Sequence, residues 1–448
     1  MPDPTTAQAL QERLARQGVH TLLAQFTDLL GVARGKYVPL AQLGTLLRSG
    51  AGFSGTSIAG TGLPRSGARS EYYGRGDPAT AQALPWMPGY ARVVCDGHFD
   101  GQPFEACPRQ ILRRQVERLA ARGWTLQVGM EPEFFLLRRD AAGQWQPIDA
   151  LDRGDKPSYD LKALARQGGF LDALGQALAD AGMEVLQTDH EDAHGQFELN
   201  FSHADVLTTA DRLMLFKMAA HTLAERHGAS FSMMPKPFAN QPGSGLHFHV
   251  SLWQGEQNLF ADGQADLSEL GQSFVAGVLG RSAALCALAA PTVNSYKRLV
   301  VGESLSGTSW APAYVAHGAN NRTALVRTLR GRFEWRLPDA AANPYLAAAG
   351  LIAAGLDGVD RHLDPGPARP DDLFDWPLQR IRAEGIAVLP QSLGEAVDAL
   401  ERDGLLAQAL GAAAHGEFVR LKRAEWTAYA RHVSAWEFER YATTFWKL

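Results

Sequence analysis

Cysteine is scarce in this chain of 448 residues. Its three cysteines, Cys95, Cys107 and Cys286, are widely spaced and form no Cys-x-x-Cys pair. That excludes a disulfide framework and a thiolate zinc site, and it fits a reducing compartment. Long hydrophobic runs are missing too. No stretch approaches the roughly 18 uninterrupted apolar residues of a membrane-crossing helix. The Ala-rich segment 341–354 is interrupted by Asn343 and Pro344. The first residues carry Asp3 and Glu12 and no apolar core, so they do not read as a secretory signal. There is no basic excess: the net charge is −5 and the pI about 6.2. Nothing here asks for nucleic acid as a partner. These absences describe a cytoplasmic protein with no membrane or nucleic-acid partner.

What is present is an ordinary globular balance, 46% hydrophobic and 20% charged residues. The length exceeds the roughly 250–300 residues at which a single core stops growing, so more than one domain is expected. Residues 1–17 have the pattern of an amphipathic helix. Up to about Pro103, short apolar runs (20–26, 31–38, 90–95) alternate with Gly- and Pro-rich stretches. This is the pattern of a small sheet with long loops, and 50–76 reads as one such loop. A helix starting near Pro108 opens a second region in which strands (126–137, 184–188, 196–201, 247–253, 332–337) alternate with helices (161–181, 211–227). Ser392 with Glu395 is a capping-box pattern in a mostly helical C-terminal third. The boundary is placed between 1–103 and 104–448.

The chemistry sits on the strands. Glu131 and Glu133 are two apart, so they share one strand face ~7 Å apart along the chain. Such a pair in a partly buried sheet needs a cation or a proton. The segment His190-Glu191-Asp192-Ala193-His194-Gly195-Gln196-Phe197-Glu198 can turn at Gly195 and bring Glu191 towards Glu198. In Gly243-Ser244-Gly245-Leu246-His247-Phe248-His249-Val250-Ser251, polar and apolar side chains alternate, and so do Glu334 and Arg336 with their neighbours. Singly, the Glu131 pair reads as a solvent face, the 190–198 segment as a charged hairpin, and a histidine on 243–251 as a satisfied core residue. Together, five carboxylates and one histidine can surround two hard divalent cations, Mg²⁺ or Mn²⁺ rather than structural zinc. Arg298, Arg322, Arg327 and Arg336 add a basic set suited to polyphosphate and phosphoryl transfer. No Gly-x-x-x-x-Gly-Lys-Ser/Thr loop is present, so this is not a P-loop enzyme.

In this order the segments resemble the glutamine synthetase family. The series runs from the Glu-x-Glu strand and the Glu191–Glu198 segment to Lys236-Pro237 and Gly243–His249. It continues through Asn294–Leu299 and Asn321-Arg322-Thr323 to Arg332–Asp339. The segment 302–312 is most similar to the type III, or glutamate–methylamine ligase (γ-glutamylmethylamide synthetase), branch. The resemblance implies an α+β fold: a small β-grasp-like domain, then a large catalytic domain with a curved antiparallel sheet. It implies an ATP-dependent ligase that makes γ-glutamyl phosphate from glutamate and lets a small amine displace phosphate. Two or three Mg²⁺ or Mn²⁺ ions per site are implied, and a homo-oligomer, a dodecamer of two stacked hexamers with active sites between subunits.

Carried over by position, Glu133, Glu191 and Glu198 hold a first ion, and Glu131, His247 and Glu334 a second. His249, Ser251 and Arg327 meet ATP. Arg322 and Arg327 stabilise the transferring phosphoryl group, while Gly243, Arg298 and Arg336 hold glutamate. Three departures stand out. The Asp-Gly-Ser-Ser segment reads Ser54-Gly55-Thr56-Ser57, which removes the ammonium-binding carboxylate. The flap glutamate position holds Ser304, with Glu303 beside it as a candidate base. Phe374 stands where some bacterial relatives carry the tyrosine that is adenylylated, and a phenylalanine cannot be so modified. Loss of the ammonium carboxylate favours methylamine over ammonia. Glutamine synthesis from ammonia is the alternative, and a non-catalytic structural or regulatory relative is disfavoured by the complete ligand set.

Overall fold

Leu10 and Leu14 lie one helical turn apart on helix Pro4–Arg16 and are buried against Leu22, Ala24 and Phe26 of strand β1 (Thr21–Thr27). The structure, a computed structural model, describes residues 4–302 and 310–443. β1 pairs antiparallel with β2 (Ala33–Pro39) and parallel with β5 (Tyr90–Phe99). β3 (Ala51–Ser54) and β4 (Glu71–Gly76) complete the order β2-β1-β5-β4-β3, with two further two-residue strands on β5. The stretch expected as one long loop therefore pairs at both ends, Ala51 with Gly74 and Ser54 with Glu71. Its glycines disguise the strands, because glycine is depleted from strands elsewhere.

Among the described residues the second sheet has eleven strands. Its main path is β7 (Val185–His190), β8 (Gln196–Phe201), β6 (Thr125–Arg139), β9 (Leu246–Gln254), β12 (Arg332–Trp335), β11 (Val326–Leu329) and β10 (His317–Ala319). All neighbours on this path are antiparallel except β10 and β11, which are parallel. Every second residue points into the core: Leu126, Val128 and Met130 on β6, Phe248 and Val250 on β9, Phe333 and Trp335 on β12. Helices Val206–Arg226 and Pro344–Asp360 supply buried apolar residues to the same core. The alternate residues are thereby turned to the opposite, polar face.

Three local expectations need correction. The helical pattern 161–181 is two helices, Leu161–Arg166 and Gly168–Asp180. The break falls at Gln167, just before Gly168-Gly169, where helix propensity is lowest. The helix expected from 211 starts at Val206, because Asp205 caps it by accepting from Thr208 N at 3.1 Å. Ser392 caps its helix, but the Glu395 carboxylate accepts from Gln391 N, not from Ser392 N. The reciprocal box forms instead at Ser434 and Glu437. Among the described residues no single helix is long and apolar enough to cross a membrane.

A buried ionic network joins the smaller sheet to the helices that pack on the larger one. Arg109, on helix Pro108–Ala120, donates to Asp211, Asp96 and Asp77 at 2.8–3.0 Å. Asp211 also accepts from Tyr345 Oη at 2.7 Å, and its carbonyl accepts from Arg92. Arg109→Ala would leave a buried carboxylate at Asp211 without its main cation, a loss of roughly 3–5 kcal/mol. The melting temperature should fall by several degrees, and Arg109→Lys should restore only part of it, since an ammonium lacks the planar fork.

Candidate active site

The polar face of the second sheet floors a cavity of about 570 Å³. Register places its side chains in rows. Asp189, Glu198 and Glu133 are cross-strand partners over β7, β8 and β6. Glu131 faces His247 across β6 and β9. His249, Glu334 and Arg327 follow across β9, β12 and β11. All of these line the cavity, together with Glu191, Gly243, Arg298, Arg322 and Arg336.

Ligand atoms of Glu133, Glu191 and Glu198 all lie within 4.8 Å of one another. These are the three residues expected around the first ion. Glu131 belongs to two further groups, one with Glu198 and His247 and one with His249 and Glu334. The expected second set of Glu131, His247 and Glu334 is spread over these two groups. His247 Nδ1 lies 3.4 Å from Glu334 and 3.9 Å from Glu131, while His249 Nε2 lies 3.0 Å from Glu131. His249, expected at the nucleotide, thus stands among the potential ligands.

The electrostatics divide the site into two ends. At one end, burial and then the Glu133 charge push Glu191 up to about 8. Burial and the neighbouring carboxylates Glu131 and Glu133 raise Glu198 well above its usual range. Glu133 is raised mainly by burial, although Gly245 N donates to it at 2.8 Å and Gln196 Nε2 at 2.9 Å. At the other end, burial alone would raise Glu334. The Arg336 guanidinium, then His247 and His249, reverse this and hold it at about 2. Glu334 accepts from Arg327 at 2.9 Å and from Arg336. Burial and the adjacent Arg336 push His247 well below its usual value, which favours the neutral imidazole that a metal site would use. Carboxylate oxygens plus imidazole, without thiolate, fit hard divalent cations. A bound cation would relieve the raised acids.

Glycine is needed where the backbone crosses the acids. A Cβ on Gly245 would come 2.7 Å from His247 Nε2 and 3.0 Å from Glu133. On Gly243 it would meet Pro235 O at 2.4 Å and Arg298 Cγ at 3.3 Å. Arg298 donates to the carbonyls of Leu337 and Arg336, and Arg336 to that of Trp310.

Some expected residues lie elsewhere. Ser54 is exposed at the end of β3, off the cavity lining, and contacts Thr56 Oγ1 at 3.2 Å. Ser251 shares the polar face of β9 but accepts from Trp253 Nε1. Glu303 and Ser304 lie outside the described residues. Phe374 packs on Tyr314. Other lining residues were given no individual role from the sequence: Gln196, Lys236 and Trp310, which lie within the quoted motifs, and Asp189, Asn200 and Tyr159, of which Gln196 and Asn200 alternate with core residues around Glu198. The period-two alternation on 196–201 was the available signal for Gln196 and Asn200.

A family described as "Glutamine synthetase, catalytic domain" matches residues 105–441. The chain belongs to the glutamine synthetase family. It is 48% identical over 440 residues to a glutamate–methylamine ligase of Methyloversatilis universalis, covering 97% of this chain and 99% of that one. It is 37% identical to a glutamine synthetase of Rhizobium meliloti, covering 94% and 96%. A solved structure described as a GmaS/ADP complex superposes with a TM-score of 0.90 at 40% identity, covering 97% of this chain and 99% of that one. The chain is thus an α+β ligase of this family.

The raised acids predict a pH signature. A carboxylate with a raised folded-state value stabilises the fold while protonated, and that contribution is lost as pH rises towards the folded value. For Glu191 this window closes near about 8. The depressed His247 acts oppositely, but only below about pH 6.5. Between about pH 6.5 and 8.5, the melting temperature in chelator should therefore fall. The increase produced by Mg²⁺ should grow over the same interval. A Mg²⁺ effect independent of pH would contradict the assignment.

Proposed function

We propose that the protein joins the γ-carboxylate of glutamate to methylamine, with ATP as phosphoryl donor and γ-glutamyl phosphate as intermediate. The observation that carries the amine is the 48% identity, over nearly full length, to a glutamate–methylamine ligase. The family uses ATP and divalent metal in general. The proposed form here is two or three Mg²⁺ or Mn²⁺ ions per site. Glu133, Glu191 and Glu198 would hold one, and Glu131, His247 and Glu334, with His249 beside them, another. When bound, such ions neutralise phosphate charge.

The remaining work falls to the chain's own groups. Arg298, Arg336 and Gly243 would position the glutamate carboxylates. Arg322 and Arg327, which line the same cavity, would meet the transferring phosphoryl group, and His249 and Ser251 are assigned to the nucleotide. The γ-carboxylate oxygen attacks the γ-phosphorus and ADP leaves. The amine nitrogen then attacks the acyl carbon, phosphate departs, and a carboxylate takes the proton. Glu303 is the proposed acceptor.

Two domains, 1–103 and 104–448, are proposed, in a cytoplasmic dodecamer of two stacked hexamers. Ser54, exposed and off its own chain's cavity, supports a place where a neighbouring subunit's site receives it. Glutamine synthesis from ammonia remains the second reading, supported by the likeness to glutamine synthetases. The full set of acids argues against a non-catalytic relative.

Phosphate release from ATP and glutamate, compared for methylamine, ammonium and ethylamine, tests the reading. Burying one methyl predicts a preference for methylamine over ammonium of roughly tenfold. Better use of ammonium would overturn it. Ser54→Asp should shift the ratio of catalytic efficiencies towards ammonium by restoring an anionic partner. Glu334→Ala should abolish phosphoryl transfer with every amine while the protein stays folded; near-normal turnover at saturating Mg²⁺ would remove Glu334 from the metal site.

A further inference from the structure

Two large aromatic side chains stand open at the catalytic cavity. Tyr159 is 69% exposed and Trp310 is 45% exposed, and both line it. Neither belongs to the carboxylate–arginine set. Tyr159 has φ of +64°, a left-handed conformation that a bulky residue rarely adopts. Its N–H donates to His190 O at 2.9 Å, which ties it to the strand leading into Glu191.

Asp192 links the two aromatic segments. One of its oxygens accepts from Ser158 Oγ, the residue before Tyr159, and the other accepts from the Trp310 indole N–H. The Trp310 carbonyl accepts from Arg336 at 3.1 Å. The indole is thus anchored through its ring edge to the acidic turn and through its backbone to the arginine end. A hydrogen bond through the indole N–H lies in the ring plane and leaves the π face for another partner. The Tyr159 hydroxyl feels Glu191, Asp189 and Glu198, with Arg322 as the opposing charge. This part of the cavity is therefore acidic and aromatic at once.

A small alkylammonium ion has the complementary chemistry. Acids attract its charge, an indole face holds the cation through the ring quadrupole, and the same face shields its alkyl group from water. Ammonium has the charge but no apolar surface to bury, so it gains less. We propose that Trp310, pinned by Asp192, is the wall of the amine subsite that selects methylamine over ammonium, with Tyr159 as the second aromatic lining. The inference rests on the ligase reading above and names the residue that sets its amine preference. Trp310 touches the amine; Asp192 is a positioning residue that acts through it.

The test compares kcat/KM for methylamine and ammonium, with KM for glutamate and for ATP, in the full chain and in Trp310→Ala, Trp310→Phe and Asp192→Ala. Trp310→Ala should lower kcat/KM for methylamine by about tenfold or more and that for ammonium by less than about threefold. Trp310→Phe should keep most of the preference, and Asp192→Ala should move the ratio in the same direction by less. Equal losses with both amines would overturn the proposal, because a merely structural role does not distinguish them. A raised KM for ATP with an unchanged amine ratio would also overturn it and assign the ring to the nucleotide. If Trp310→Ala does not fold, Trp310→Phe and Asp192→Ala decide by the ratio alone. Wild type preferring ammonium would sink the methylamine reading. A shift of that ratio in Trp310→Ala would still place the indole at the amine.

Discussion

Mutual repulsion among carboxylates on one sheet face is the constraint around which this protein is organised. Glu131, Glu133, Glu191, Glu198 and Glu334 line one cavity, and most of them are buried. Charges of one sign in a medium less polar than water cannot stay together uncompensated. The chain meets this in two ways. Arginines 327 and 336 keep Glu334 ionised. At Glu133, Glu191 and Glu198 burial outweighs the more distant cations and shifts the balance towards the protonated form. The result is a cavity with one end held ionised by arginines and one end at which a cation would relieve the raised acids.

Such a face needs a stiff support. The apolar undersides of β6, β9 and β12 are packed into the main core, so Glu131, Glu133 and Glu334 project from strands that cannot slide by one residue without burying charge. Gly243 and Gly245 let the backbone pass close to Glu133, His247 and Arg298 where a methyl group would collide. The Arg109 network ties Asp96 of the smaller sheet to Asp211 of helix Val206–Arg226, which packs on β6 of the larger sheet.

Much of this was legible in order along the chain. Alternation of His247, His249 and Ser251 with Leu246, Phe248 and Val250 announces a strand with one polar face, and so does Glu131 with Glu133. The same reading on 196–201 would have included Gln196 and Asn200, which stand on the cavity beside Glu198. The helix break at Gln167 and the paired ends of the 50–76 stretch were hidden, because glycine permits loop, strand and helix end alike.

The sequence by itself determined which residues alternate, where polar and apolar faces separate, and which acids and histidines can share a face. Those properties depend only on strand period and side-chain chemistry. Only the tertiary structure decided which of them meet. It put His249 with Glu131 and Glu334, kept Ser54 off its own chain's cavity, and joined Ser158 to Trp310 through Asp192. Each of these depends on cross-strand register or on contacts between segments far apart in the chain, and no local pattern encodes either.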